Sequence, residues 1–348
     1  MSTTLNHHWC VGIDLHKDTL TTCVLCRCCG EHRWQKIACK CRTQITEFFA
    51  ALPRPHTVAI ETVGFYRWLW ETLEPIVEKL VLADATQARA LAGRRLKTDR
   101  EDALNIAELL AAGRLPLCYA PPLEVQMLRD VARHRSSFSR QHARVLCRVK
   151  SIMNANNRPG PERLESAGLI RYLKAQGEKL SVRHVAMLWD CVDQLALAER
   201  QTDQAERTIG ELVRGATFAA DYALLVSFPG VAMVTAATVL AEVGDFRRFK
   251  DPKAIGRYAG LNPRVFASGG KQRVGAIAKT GSPHLRWILQ QAAWTAIRTD
   301  DGVKHIFLRI AKRSGRKAAA VAIARKLLTW MWAAVVHGEP YKSRAVAA

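Results

Sequence analysis

The chain has 348 residues, enough for two or three domains, and its 49% hydrophobic content excludes an intrinsically disordered protein. Its formal net charge is +21, and residues 247–348 contribute +17 of that charge, with 21 Lys and Arg against 4 Asp and Glu. This concentration favours nucleic acid as a partner, with a solvated basic face or an anionic membrane surface as the alternatives.

The amino terminus, residues 1–8, is polar and lacks the basic and apolar regions of a secretion signal. The most apolar late segment, residues 318–336, is interrupted by Arg325 and Lys326. We therefore expect a cytoplasmic protein with no membrane partner.

The first 115 residues alternate between strand and helix patterns. Apolar runs predict buried strands that end at Asp14 and Glu61 and another at residues 80–83, and helical patterns cover residues 43–52, 66–73, 86–93 and 100–112. An initial three-strand meander followed by this alternation predicts an α/β layer with a mixed sheet on the ribonuclease-H-like plan.

Four carboxylates stand out within this region. Asp14 and Glu61 each follow a buried strand, and Asp99 and Asp102 share one face of a helix. Gathered in one cleft, they would raise one another's pKa unless a divalent cation neutralised them, and oxygen ligands suit magnesium or manganese. The alternative for Asp99 and Asp102 is structural, because a capping box formed by Thr98 with the glutamate three residues later would place both acids in a helical first turn.

Seven of the ten cysteines lie between Cys10 and Cys41. The spacing of the later ones, from Cys23 to Cys41, superficially resembles a zinc ribbon but is irregular for zinc ligands. We favour a β-hairpin in which strands over residues 21–27 and 33–42 flank Cys29 and Gly30. Zinc binding stays open.

A long helix is predicted over residues 124–156, and five arginines fall on one of its faces. This basic stripe suits a phosphate backbone and consists of Arg129, Arg133, Arg140, Arg144 and Arg148. From Leu188 to Leu212, apolar and small residues recur every three or four positions, which predicts a coiled-coil arm for self-association or, alternatively, an intramolecular helical hairpin.

The last third is predicted to be mainly helical, with one conspicuous glycine-rich loop. Residues 228–244 resemble a helix-hairpin-helix, although Ala232 replaces a glycine usual in that turn. Ser268 lies in a loop beside two glycines, with Lys271 and Arg273 following, so it is either a turn residue or a nucleophile whose phosphodiester these cations hold. Ser282 is the competing serine, but it precedes Pro283 and is better placed as a helix cap.

Together these motifs resemble the DEDD-type insertion-sequence transposases, the bridge-RNA-guided recombinase family related to the pilin-gene invertases. The resemblance covers nearly the whole chain and rests on these segments in this order: Val11-Gly12-Ile13-Asp14, Ile60-Glu61-Thr62, residues 97–103, Pro229-Gly230, residues 258–263, Ser268-Gly269-Gly270-Lys271, and Lys279-Thr280-Gly281 with Leu285-Arg286.

The resemblance implies three parts: a RuvC-like domain over residues 1–118, a helical and coiled-coil region over residues 119–222, and a transposase domain over residues 223–348. It implies that Asp14, Glu61, Asp99 and Asp102 hold magnesium and that Ser268 attacks DNA to form a phosphoserine. It further implies a dimer that assembles into a tetramer, with a structured noncoding RNA that pairs with donor and target DNA.

Basic residues beyond the helical stripe are expected to contact nucleic acid, namely Lys271, Arg273, Lys279 and Arg286. Two alternative functions remain open on the sequence. One is a metal-dependent RuvC-like junction nuclease that uses the four carboxylates and water, and the other is an inactive nucleic-acid-binding protein.

Overall fold

The computed structural model describes residues 8–92, 98–161, 163, 165–268 and 271–343. The chain divides into two compact units, Met1–Ala120 and Pro121–Ala348. The predicted division into three domains, at 118 and 222, stays a prediction.

The first unit is a mixed α/β layer, as predicted. Its elements are β1 (Trp9–Leu15), β2 (Thr19–Cys26), β3 (His32–Ala38), α1 (Arg42–Ala50), β4 (His56–Glu61), α2 (Arg67–Leu73), β5 (Leu80–Ala83), α3 (Ala85–Ala92), α4 (Asp99–Ala111) and β6 (Leu117–Cys118). The six strands lie in the order β3-β2-β1-β4-β5-β6. β1, β4 and β5 are parallel to one another, and the β1–β2, β2–β3 and β5–β6 pairs are antiparallel.

Burial explains why this sheet forms. Five consecutive positions from Cys10 to Asp14 in β1 and all six of β4 are buried, which is typical of central strands covered on both faces. Ile13, Ile60 and Phe49 are fully buried in the main apolar cluster of this unit. By the usual transfer estimate, each such side chain stabilises the fold by roughly 2 kcal/mol.

The second unit is mostly helical and contains a small two-stranded sheet. Its elements are α5 (Leu123–Ala155), α6 (Ser166–Gln176), α7 (Val182–Arg214), α8 (Ala219–Val226), α9 (Met233–Val243), α10 (Pro252–Tyr258), β7 (Pro263–Ser268), β8 (Lys271–Ile277), α11 (Pro283–Thr299) and α12 (Asp301–His337), with short 3₁₀ turns at Gly177–Lys179 and Phe246–Arg248. One apolar core joins α5 and α7 to the later helices through residues such as Leu128, Ile209 and Leu289.

The predicted coiled-coil seam of α7 is covered within the same chain. Leu188, Cys191 and Leu195 are buried in an apolar cluster that also contains Val149 of α5 and Leu173 of α6. The intramolecular alternative therefore accounts for the burial of these residues, and self-association through this helix stays a prediction.

The glycine-rich loop predicted around Ser268 is instead a hairpin. β7 and β8 pair antiparallel with a register irregularity near Pro263, and Ser268 is opposite Lys271. Alternation was hard to see in the sequence because Gly269 and Gly270, which lie outside the described residues, interrupt the pattern.

One helical stretch in the described part of the chain, Arg316–His337, is long and apolar enough to cross a membrane. Its inward residues, among them Ile323, Leu327 and Met331, belong to the core of the second unit. This burial is what a core helix of that length requires.

Candidate functional site

Asp14 and Glu61 lie side by side at the carboxyl ends of adjacent parallel strands. Ile13 of β1 is in register with Ile60 of β4, so the next residue of each strand is an acid. Each acid is 4% exposed, and carboxylates are seldom buried to this extent. The sheet thus brings two of the four predicted acids together.

The first turn of α4 carries the other two acids and packs against β1. Thr98 caps this helix, because its hydroxyl accepts a hydrogen bond from the Glu101 N–H at 3.2 Å. The predicted helix cap at Thr98 is therefore present. The cap is compatible with a metal site, because the same capped turn also carries Asp99 and Asp102.

Gly12 is what lets α4 approach the strand. A Cβ atom at this position would lie 2.2 Å from the Ala103 carbonyl oxygen and 2.6 Å from the Ala107 nitrogen. Both are backbone atoms, which cannot rotate away as the end of a side chain can. The absence of a side chain two residues before Asp14 therefore sets the distance between Asp14 and the acids of α4.

We expect Gly12→Ala to lower the free energy of unfolding of the first unit by about 3 kcal/mol, because α4 must shift to relieve the overlap. Thermal or urea unfolding measures the change. Gly64→Ala is the matched control, since its Cβ would meet nothing within 4 Å and it should change stability by less than about 0.5 kcal/mol. Equal effects of the two substitutions would contradict the close-packing argument.

The cluster is electrostatically strained in the absence of a cation. Burial raises the pKa of Asp14, and the negative charges of Asp102 and Asp99 raise it further, against the opposing effect of His16. Burial likewise raises the pKa of Glu61, which Asp14 and Asp102 reinforce. Asp99 and Asp102 are thus close enough to repel Asp14, and Asp14 and Asp102 are close enough to repel Glu61. A shared metal site of all four acids stays a prediction.

Among the described residues, three basic side chains relieve part of this repulsion, and none of them was predicted from the sequence. His16 Nε2 lies 3.1 Å from Asp14 Oδ2 and 3.4 Å from Asp99 Oδ1. Lys36 Nζ donates to Asp99 Oδ2 at 2.9 Å, which holds the pKa of Asp99 below its ordinary value. Arg89 is 3.5 Å from Glu61.

The arrangement fits a divalent cation. One ligand atom from each of Asp14, His16 and Asp99 lies within 4.8 Å of the others, and buried carboxylates of raised pKa gain from a positive ion. His16 is therefore a candidate metal ligand in addition to the four predicted acids. The only signal for it in the sequence was its position two residues after Asp14, a spacing that puts two side chains on one side of an extended segment.

The second unit contains the predicted serine. The backbone of Ser268 ends β7, whereas the side chains of residues 265–268 and 271–274 lie outside the described part of the chain, as do those of Gly269 and Gly270. The predicted roles of Ser268, Lys271 and Arg273 therefore stay predictions.

The base of this hairpin is fixed by two glycines from different motifs. A Cβ on Gly260 would lie 2.0 Å from the Thr280 carbonyl oxygen, and one on Gly281 would lie 2.0 Å from the Tyr258 carbonyl oxygen. Both glycines have positive φ, 65° and 76°. The two segments flanking β7 and β8 thus meet with their backbones in contact.

Arg286 ties these segments together. Its guanidinium donates to the carbonyl oxygens of Thr280 at 2.8 Å and Gly281 at 2.9 Å. Ser282 caps α11 by accepting from the Leu285 N–H at 3.3 Å, as predicted. Nucleic-acid contacts of Arg286 and Lys279 stay predictions, and the observed bonds give Arg286 a structural task.

The five arginines of the basic stripe on α5 differ in their surroundings: two bond to residues of α9, and three are exposed. Arg129 donates to the Ala241 carbonyl at 2.9 Å, and Arg133 forms a two-pronged pair with buried Glu242 at 2.7 and 2.9 Å. Arg133 holds the pKa of Glu242 below its ordinary value even though burial opposes this. The remaining three arginines of the stripe are exposed, namely Arg140, Arg144 and Arg148. The phosphate contacts predicted for all five stay predictions.

The cysteine segment forms the predicted hairpin. In its turn, the thiols of Cys26, Cys28 and Cys29 lie within 4.8 Å of one another. The Cys26 and Cys28 sulfurs are 3.0 Å apart, and their hydrogen bond raises the pKa of Cys28 to about 11. Among the described cysteines, these three are the group close enough to bind one zinc ion, and whether they do so stays open.

Comparison with known families adds two matches that together contain every predicted site residue. Residues 11–156, which include all four acids and those arginines, match a DEDD transposase model of the IS110 type, described as a transposase. Residues 222–307, which include Ser268, match the model described as "Transposase IS116/IS110/IS902 family".

Curated relatives are similar over most of the chain. "Transposase for insertion sequence element IS1111A" of Coxiella burnetii is 24% identical, with 96% of this chain and 92% of that protein aligned. "Pilin gene-inverting protein" of Moraxella bovis is 25% identical, with 96% and 98% aligned. y4qE of Sinorhizobium fredii, a candidate transposase by its name, is 29% identical over 69% of this chain, which spans 65% of that relative.

Proposed function

This chain belongs to the insertion-sequence transposases of the IS116/IS110/IS902 family, which act on DNA, and we propose that it cuts and rejoins DNA through a covalent phosphoserine at Ser268. The observation that carries the proposed cutting of DNA is the convergence of buried Asp14 and Glu61 with the first turn of α4, whereas the assignment of Ser268 rests on the family resemblance. A buried group of like charges destabilises a fold, and it is therefore the signature of a site kept for chemistry.

We propose that Asp14, Glu61, Asp99 and Asp102 hold a magnesium ion, with manganese as a possible substitute. Their oxygens suit a hard cation, and His16 is positioned beside them. When bound, such an ion stabilises negative charge on the oxygens of a phosphodiester under attack. The positive charge of Lys36 offsets the negative charge of Asp99, and that of Arg89 offsets the negative charge of Glu61.

In the proposed covalent step, the Ser268 hydroxyl oxygen bonds to phosphorus, and the bond from phosphorus to the 3′ oxygen breaks. The products are a 5′-phosphoserine and a free DNA 3′-hydroxyl, which takes up the proton that the serine loses. Lys271 is opposite Ser268 across the hairpin, and its charge supports binding of the phosphate there.

Other parts of the proposal come from the family resemblance. We propose that the first unit is RuvC-like, that a structured noncoding RNA selects donor and target DNA, and that the protein assembles as a dimer of dimers in the cytoplasm. The positive charge of residues 247–348 supports binding of nucleic-acid backbones, which a protein needs when base pairing selects the sequence.

The direct test is to locate the covalent bond. The full-length protein is incubated with element DNA, its RNA and Mg²⁺, denatured, digested with trypsin and nuclease, and sequenced by mass spectrometry. We expect a nucleotide mass on the Ser268 peptide. A modified Ser282 peptide, or the absence of a modified peptide from a reaction that cuts DNA, would overturn the serine assignment.

The second candidate is a metal-dependent junction nuclease that uses water. It is favoured by the location of all four acids in the first unit, where Asp14, His16 and Asp99 bring ligand atoms within 4.8 Å of one another without Ser268. This candidate predicts cut DNA ends free of protein. An inactive binding protein, the third candidate, predicts no cutting that depends on metal.

A further inference from the structure

A cavity of about 520 Å³ lies beside the acid cluster, within the first unit. It is bordered by β2 and β3 on one side and by the start of α4 on the other. Seven residues line it, namely Thr21, Trp34, Gln35, Lys36, Thr98, Asp99 and Arg100. Because Asp99 belongs to both, the cavity adjoins the proposed catalytic acids directly.

Trp34 is the aromatic side chain that lines this cavity. Its side chain is 38% exposed, and its indole N–H donates to the Arg100 carbonyl at 3.3 Å, which fixes the ring to the start of α4. His32 packs edge-on to the ring at 4.5 Å. A large aromatic ring that is held in place yet exposed is the platform on which an unpaired base stacks.

The polar lining suits the phosphate and sugar of the same nucleotide. Lys36 is 58% exposed and pairs with Asp99 at 2.9 Å, and the Arg100 guanidinium lies over the Trp34 ring, 5.9 Å from its centre. These two cations are close enough to the platform to contact the phosphate attached to a stacked base.

Thr21 supplies an independent observation. It is 2% exposed, it lines the cavity, and its hydroxyl has no hydrogen-bond partner among the described residues. A buried hydroxyl without a partner is unfavourable, so a ligand that bonds to it gains affinity. Thr21 is also the register partner of Asp14 across β1 and β2.

We propose that this cavity binds one unpaired nucleotide of the DNA strand being processed, with its base stacked on Trp34 and its phosphate near Lys36 and Arg100. The inference rests on the proposed action of the acid cluster on DNA, to which it adds a subsite. Because Trp34 needs a free base face, the subsite selects a strand that is locally open rather than a closed duplex.

The test uses the full-length protein and a short single-stranded oligothymidylate with 5-iododeoxyuridine at its centre. Ultraviolet crosslinking followed by mass spectrometry locates the contacted residue, and fluorescence anisotropy at about 0.15 M salt measures affinity. We expect the crosslink on the Trp34 peptide and about tenfold weaker binding by Trp34→Leu. Trp34→Phe should retain most of the affinity.

Trp189→Leu is the matched control, because Trp189 is 41% exposed on α7 in the other unit. It should bind as the wild type does, and Lys36→Gln should weaken binding while leaving the ring in place. The proposal is overturned if crosslinks map away from Trp34, if Trp34→Leu binds within twofold of wild type, or if only the matching oligoribonucleotide binds.

This test is independent of the covalent chemistry. Binding and crosslinking are measured without a divalent cation, so no cutting is required. If no Ser268 adduct forms but the Trp34 crosslink does, the nucleotide subsite is supported and the serine mechanism is overturned. If the Ser268 adduct forms but the Trp34 crosslink does not, the serine mechanism is supported and the subsite is overturned.

Discussion

Ser268→Ala is expected to abolish the covalent protein–DNA adduct and to lower strand exchange by at least about 10⁴-fold, because the attacking oxygen is removed. The measurement is a denaturing gel of labelled element DNA after incubation with protein, its RNA and Mg²⁺. Affinity for DNA should change little, since a serine hydroxyl contributes no charge to binding of the backbone.

Ser282→Ala is the informative control for this experiment. Its hydroxyl caps α11, so the alanine variant should lose about 1 kcal/mol of stability and keep forming the adduct. If Ser268→Ala cuts DNA at the wild-type rate while the ends carry no protein, water is the nucleophile and the junction-nuclease candidate replaces the serine mechanism.

Asp14→Asn is the second substitution with a large expected effect. It should lower DNA cutting by about 10³-fold, because a metal ligand that contributes several kcal/mol to charge stabilisation is lost. The rate is measured on the same labelled DNA across a range of Mg²⁺ concentrations. Glu101→Gln is the control, since Glu101 lies in the same helical turn outside the four-acid set and its substitution should leave the rate unchanged.

The same substitution should stabilise the metal-free protein. Because the pKa of Asp14 is raised in the folded chain, the folded state holds a proton at pH values where the unfolded state has released it. Stability of the metal-free wild type therefore falls as pH rises from the ordinary carboxyl range through the raised value. In Asp14→Asn this part of the pH dependence should vanish and the melting temperature at neutral pH should rise, as scanning calorimetry would measure.

A melting temperature of Asp14→Asn below that of the wild type, at neutral pH and with chelator present, would contradict the repulsion argument. Added Mg²⁺ should reverse the order of the two proteins, because an ion that binds the folded wild type stabilises it by mass action. The melting temperatures with chelator report the destabilisation that the Asp14 carboxylate causes, and those with Mg²⁺ report the stabilisation that a bound ion gives.

Much of the first unit could be predicted because its signals are local. Continuous apolar runs ending in Asp14 and Glu61 are the pattern of covered parallel strands, and Thr98 marks the start of α4. Lys36 and Arg89 were not predicted because their acidic partners are distant in sequence. His16 was not predicted because a lone basic residue carries no periodic signal, even two residues from its partner Asp14.

The second unit was harder to predict for a related reason. The seam of α7 is equally compatible with a partner chain or with α5, and only tertiary packing distinguishes them. Arg129 and Arg133 were placed correctly on one helical face, but periodicity does not reveal that α9 offers them Ala241 and Glu242. The hairpin was missed because its glycines mask strand alternation.

The close approach of α4 to Gly12 has a consequence for synthesis of the protein. Ribosomes deliver Asp14 and Glu61 first, whereas Asp99 and Asp102 arrive only after α3 has been made. A chain that stops before α4 therefore carries two of the four acids proposed to hold magnesium and lacks the other two. Under the proposed mechanism such a fragment cannot cut DNA, because it also ends before Ser268.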